Sequence, residues 1–237
     1  MTAPGRPGPA IAIESLHFSY GTGPPVIDIP ALEIARGSSV FLHGPSGCGK
    51  TTLLGILAGV LQATHGSVRV LGRDLVTMSG SQRDAFRAEH IGYVFQQFNL
   101  IPYLSAYDNI ALPCRLDARR RARLGSVSLD DAIGDVAAQL DIAGLLQQQS
   151  TALSVGQQQR VAAARALLGA PELIICDEPT SSLDTDRRDA FLALLASSVE
   201  RAHATLFFVS HDAALGARFD VQLSLPTLNR AARADAA

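Results

Sequence analysis

Gly44, Pro45, Ser46, Gly47, Cys48, Gly49, Lys50 and Thr51 follow one another in the spacing GxxxxGK[ST], with Thr52 next in line. Glycines at these points let successive backbone N–H groups turn inward around a polyphosphate, and a helix beginning near Lys50 adds its positive dipole end. Lys50 reaches the β and γ phosphates as a compact charge, and the Thr51 hydroxyl suits a divalent cation. It is also the only lysine in the chain: the other 19 of the 20 basic residues are Arg. A planar guanidinium cannot replace a point charge inside a tight loop, which accounts for the exception.

A second group of polar residues closes an apolar run. Asp177 and Glu178 follow Leu173–Cys176 and precede Pro179. Neighbouring side chains on a strand face opposite ways, so the two carboxylates serve two tasks only if the strand is ending there. Pro179 supports that ending because it removes a ladder donor. One carboxylate for the hydration shell of Mg²⁺ and one for an attacking water is an arrangement for hydrolysis. Ser154, Val155, Gly156 and Gln157 open an amphipathic run carrying Val161, Ala164, Leu167 and Leu168. They read locally as a capping box, and equally as a helix start whose N–H groups bind a second phosphate. Periodicity does not choose between these readings.

The elements that must hold these groups are legible in outline. Ile11 to Tyr20 alternates apolar and polar with one slip of register, and 26–34 and 67–71 look similar, so the front of the chain predicts an antiparallel sheet. Ser39 to His43 is a short apolar run that stops at Gly44, and helical spacing follows Thr51, which gives the order strand, glycine loop, helix. Leu173 to Cys176 and Leu206 to Val209 each end in polar residues, the second in Ser210 and His211, as buried parallel strands of an α/β site do. Residues 99–151 read as helices with short turns. Arg115 to Arg123 holds five Arg and one Asp and reads as a solvated helix face, not a nucleic-acid site. The first ten residues lack the apolar core of a signal segment and read as a flexible tail, and Leu228 to Ala237 reads as frayed.

Composition bounds the rest. A chain of 237 residues with 47% hydrophobic and 18% charged residues has material for one sizeable domain with a buried core. A formal net charge of -2 provides no basic field for nucleic acid. No apolar run approaches the roughly 18 residues of a membrane span. Cys48, Cys114 and Cys176 are odd in number and far apart, which suits a reducing compartment.

Taken together, these motifs resemble the nucleotide-binding subunit of ATP-binding cassette (ABC) transporters over about Ile11 to Pro226. Besides the phosphate loop, LSVGQQQR at Leu153 to Arg160 is similar to the family signature, and LIICDEPTSSLD at Leu173 to Asp184 to its Walker B strand with D-loop. Gln96, ending VFQ, resembles the Q-loop glutamine; His211 in VSHD resembles the switch histidine; Tyr20 resembles the aromatic that stacks on adenine. The resemblance implies an α/β P-loop nucleotide hydrolase core with an antiparallel β subdomain and a helical signature subdomain at about 99–155. It implies one domain over 11–226, with tails at 1–10 and 227–237.

For function, the resemblance implies ATP and Mg²⁺ as cofactors, with Thr51, Gln96 and Asp177 toward the metal. It implies that Glu178 polarises the attacking water, that His211 stabilises the transferring phosphate, and that Gln96 links the metal to a membrane partner. Ser154, Gly156 and Gln157 are implied to bind the γ-phosphate held by a second copy of the chain in a head-to-tail dimer. The implied partners are integral membrane permease subunits, at the cytoplasmic face of the inner (plasma) membrane. The segment 98–113 is similar to the branch serving lipoprotein release and macrolide export. Soluble cassettes acting on DNA or ribosomes need a coiled-coil insertion or two cassettes, and neither fits this length. A non-hydrolytic scaffold is opposed by Glu178 and His211, while Val155 in the signature departs from the family's Gly.

Overall fold

The computed structural model describes residues 8–181 and 183–231. Its strands are β1 (Ile11–Ser19), β2 (Pro25–Ile34), β3 (Ser39–His43), β4 (His65–Val70), β5 (Arg73–Asp74), β6 (Ile91–Val94), β7 (Leu173–Asp177), β8 (Thr205–Ser210) and β9 (Val221–Ser224). Its α-helices are α1 (Lys50–Leu57), α2 (Gly80–His90), α3 (Ala106–Leu116), α4 (Ala118–Ala122), α5 (Leu129–Gln139), α6 (Val155–Leu167), α7 (Thr185–Arg201) and α8 (Leu225–Leu228). The described residues fall into two compact units, one reaching Asp84 and resuming at Thr205, the other running Ala85–Ala204.

In the first unit, β2, β1, β4 and β5 form an antiparallel sheet in that order. Ile11, Ile13 and Leu16 of β1 are buried, with Ile27 and Ile29 of β2 and Val68 and Val70 of β4. The predicted slip of register is a feature of β1: Ser15 has φ 50, and the pairing with β4 shifts between Glu14 and His17. That shift turns the apolar set back to the same face. A second group of strands is parallel, with β3 flanked by β8 and β9. Phe41, Phe207 and Phe208 are fully buried there, each stabilising the unit by about 2 kcal/mol or more. In register, His43 stands opposite Ser210 on one side and Ser224 on the other. The residues that follow these three therefore leave the sheet at one end.

In the second unit, β6 and β7 pair in parallel from Ile91↔Leu173 to Val94↔Cys176. Leu173 to Cys176 are fully buried, as the uninterrupted apolar run predicts. Ser105, Ser128 and Ser154 cap α3, α5 and α6, each accepting a backbone N–H from three residues on.

Three expectations change. Within the predicted flexible tail at 1–10, residues 1–7 lie outside the described residues. Ala10, by contrast, is buried, donates its N–H to Ile34 and accepts from Leu71. Of the predicted frayed end, residues 232–237 also lie outside the described residues, but α8 is helical to Leu228 and Asn229 is 0% exposed. Polar composition suggests fraying; three side-chain hydrogen bonds from Asn229 to distant backbone, with a fourth to Ala231, override it.

The third change concerns the arginine run. Arg119 is exposed and pairs with Glu89, as a solvated face requires. Arg120, in contrast, is 3% exposed. Its guanidinium donates to the carbonyls of Leu168 and Ala166 at the end of α6, of Ala88 at the end of α2 and of Ile91 at the start of β6, so it satisfies groups that the helix ends leave open. Burial draws its pKa down to about 10, which leaves it cationic at neutral pH. Arg120→Met keeps the stem and strands those carbonyls, so unfolding in urea is expected to show a loss of about 3 kcal/mol or more. Arg119→Met is expected to change stability by less than about 0.5 kcal/mol.

Candidate functional site

The phosphate loop runs from the end of β3 into α1. Gly44 to Gly49 make no regular structure, and α1 opens at Lys50, whose side chain folds back into the loop. Lys50 Nζ donates to the carbonyl oxygens of Gly44 at 2.9 Å and Pro45 at 3.0 Å and is 8% exposed as a residue. The ammonium is thus held where the loop turns. Gly49 has φ 100, and a Cβ there would stand 2.8 Å from Ile27 Cδ1, so only glycine meets both conditions. At Gly44 a Cβ would fall 2.7 Å from Cys48 Sγ and 3.1 Å from Pro226 Cδ. Pro45, Ser46 and Gly47 are exposed along the loop, and Cys48 is half-buried.

Thr51, on the first turn of α1, is exposed, and Thr52 is buried. Tyr20 lies within hydrogen-bond reach of Thr52, hydroxyl to hydroxyl, at 3.1 Å. Its ring meets Phe18 edge-on at 4.8 Å and is still 56% exposed, which leaves an aromatic face for a base to stack on. His211 follows Ser210, opposite His43, and is exposed. The first unit therefore gathers Tyr20, the loop from Gly44 to Thr52, and His211 around one end of β3.

The second unit gathers the remaining groups. Val94 and Cys176 are register partners, so Gln96 and Asp177 leave the same end of the β6–β7 pair. β7 stops at Asp177, and Glu178 turns to φ 45, a left-handed conformation uncommon for a residue with a Cβ. The carboxylates are therefore not related by strand alternation. Backbone held in this region concentrates at functional sites. Burial, and then the Asp177 carboxylate, push up the Tyr93 phenol and the Cys176 thiol, so Cys176 is an inert core thiol.

At the start of α6 both halves of the capping box are present. The Ser154 hydroxyl accepts from the Gln157 N–H at 3.4 Å, and the Gln157 side chain accepts from the Ser154 N–H at 2.8 Å. Val155 is 48% exposed, and a Cβ at Gly156 would meet nothing within 4 Å. The helix start is open to an approaching group.

Two residues of α6 escaped the sequence reading. Gln159, buried, donates through Nε2 to the Pro179 carbonyl at 2.9 Å, tying α6 to the turn that begins at Glu178. Arg165 donates to the Asn99 carbonyl at 2.8 Å and the Phe98 carbonyl at 2.6 Å, tying α6 to the loop after Gln96. One rigid helix thus carries the signature at its start and braces the loops of Gln96 and Glu178. The periodic pattern hid both residues, since a polar side chain reaching loop backbone leaves no mark on apolar spacing.

Residues 28–181 match the ABC transporter family. The ABC transporter ATP-binding protein YbbA of Escherichia coli is 38% identical over 91% of this chain and 93% of its own. The lipoprotein-releasing system ATP-binding protein LolD of Anaeromyxobacter dehalogenans is 37% identical over 90% of this chain and 88% of its own. Among solved structures, the dimeric post-hydrolysis state of the ATP-binding cassette MJ0796, bound to ADP and Pi, superposes with TM-score 0.79 at 29% identity. It covers 91% of this chain and 94% of that one. Among the described residues no helix is long and apolar enough to cross a membrane.

Proposed function

The chain belongs to the ABC transporter family, and from that premise we propose that it is the ATP-hydrolysing subunit that powers a separate integral membrane permease. The observation that carries this reading is the Lys50 ammonium held between the Gly44 and Pro45 carbonyls at the turn of the phosphate loop. Tyr20 stacks on adenine, the loop N–H groups and Lys50 bind the phosphates, and Glu178 accepts the proton of the attacking water. His211 stabilises charge on the transferring phosphoryl group.

The residues assigned to Mg²⁺, Thr51, Gln96 and Asp177, offer a hydroxyl, an amide oxygen and a carboxylate, the hard oxygen donors that this ion prefers. When bound, Mg²⁺ neutralises charge developing on the phosphates. Thr51 and Gln96 are exposed and Asp177 is half-buried, so each can reach a ligand.

A second copy supplies Ser154, Gly156 and Gln157 to the γ-phosphate, which makes the working unit an isologous dimer. Its place is the cytoplasmic face of the inner membrane, held there by the permease, and the permease selects the cargo. The similarity to LolD favours the cell-envelope branch. Phosphate release from Mg-ATP by the purified chain, raised by the permease that copurifies from native membranes, tests the reading; no release with or without that partner overturns it.

The signature has its own test. Gly156→Asp places an anion at the second position of α6, where it complements the helix dipole and adds about 0.3–1 kcal/mol of stability. It also faces the γ-phosphate with a like charge, so turnover is expected to fall by about a hundredfold or more while the melting temperature holds or rises. Val155→Gly is expected to change turnover by less than about tenfold, or about 1.4 kcal/mol in the barrier. Equal, mild effects of the two substitutions would show that the segment is only a helix cap.

A further inference from the structure

The chain after β9 is wrapped against the phosphate loop at two points. Asn229 spends its whole side-chain amide on backbone: Oδ1 accepts from the Asp28 N–H at 2.7 Å and the Ala231 N–H at 3.2 Å, and Nδ2 donates to the Val26 carbonyl at 2.9 Å and the Cys48 carbonyl at 3.3 Å. It is 0% exposed, and both donors and the acceptor are used. At the other end of the loop, Leu225 and Pro226 pack beside Gly44, where a Cβ would lie 3.6 Å and 3.1 Å from them. The Asn229 N–H returns to the Leu225 carbonyl at 2.7 Å and closes the segment on itself.

The bond to Cys48 fixes a peptide plane. No peptide bond among the described residues is cis, and in a trans peptide the C=O and N–H point in opposite directions. Drawing the Cys48 carbonyl toward Asn229 therefore turns the Gly49 N–H away from β2 and the chain end. We propose that Asn229 is a positioning residue for ATP and that Leu225 to Ala231 is a strap holding the Cys48–Gly49 peptide in its anion-binding orientation. This rests on the reading of the loop as an ATP site. Loop glycines alone leave that peptide free to rotate, and the strap removes the freedom before the ligand arrives.

Asn229→Asp keeps the volume and the two accepting bonds but sets an oxygen against the Val26 and Cys48 carbonyls; Asn229→Ala removes all four bonds. Wild type and both variants, as full chains, are compared by calorimetric titration with ATP, by KM and kcat for phosphate release, and by melting temperature. The strap predicts an ATP Kd raised about tenfold, equivalent to about 1.4 kcal/mol, with KM rising by more than kcat falls. Folded variants that keep Kd within about twofold of wild type and lose only melting temperature would overturn it. Failure of both variants to fold would also overturn it, assigning Asn229 to the fold alone. A wild type that binds no ATP overturns the ATP-site reading itself, whereas a binding wild type with equally binding variants overturns the strap alone.

Discussion

Replacing Lys50 with Arg is expected to reduce ATP turnover by two to three orders of magnitude, about 2.7–4 kcal/mol of lost transition-state stabilisation. The side chain at this position ends where two carbonyls converge, at 2.9 Å and 3.0 Å from Nζ. A spherical ammonium can exchange those carbonyls for phosphate oxygens with a small movement. A planar fork with fixed donor directions cannot, and the loop has little room to widen: a single Cβ at Gly44 would already stand 2.7 Å from Cys48 Sγ. Because Lys50 is the only lysine, the prediction has a chemical counterpart. Amine acylation of the purified chain should modify Lys50 and the amino terminus alone, Mg-ATP should protect Lys50, and loss of turnover should track its modification. Labelling of Lys50 indifferent to nucleotide would contradict the assignment.

What could be read from the sequence divides by the range of the interactions involved. The strand β3, the loop and α1 were legible because the apolar run, the glycine spacing and the helical periodicity all lie within residues 39–57, and each is a local signal. The parallel strands β7 and β8 were legible for the same reason. The type and position of Glu178 mark it in the sequence, but nothing local sets its φ of 45; Pro179 indicates an ending, not its direction.

Arg120 shows the limit of a charge run. Five arginines in nine residues carry the same label, and only packing against the ends of α6 and α2 decides which one turns inward. Asn229 is the extreme case. Its partners Asp28 and Val26 lie some two hundred positions earlier, and an Asn in an Ala- and Arg-rich stretch gives no local sign of them.

Glu178→Gln is expected to lower turnover by a factor of about a thousand while leaving ATP binding in place. Glu178 is the proposed general base, and removing a group of that kind costs about 10²–10⁴-fold, which accounts for the expected size of the loss. The substitution keeps the side chain's length and one oxygen acceptor, and it adds no bulk to a backbone already turned to φ 45. Asp177, one residue earlier at the end of β7, is untouched. The uncleaved nucleotide then persists, and with it the contacts proposed for Ser154, Gly156 and Gln157 of a second copy to the γ-phosphate. The variant should therefore accumulate as a dimer, and wild-type hydrolysis should rise more steeply than linearly with protein concentration.

The most direct test of ATP-driven pairing is the mass of Glu178→Gln by light scattering, in ATP and in ADP, at concentrations where the wild type hydrolyses ATP. The paired-site account predicts a dimer in ATP and a monomer in ADP; a monomer in both would contradict it and place the essential contacts on the permease.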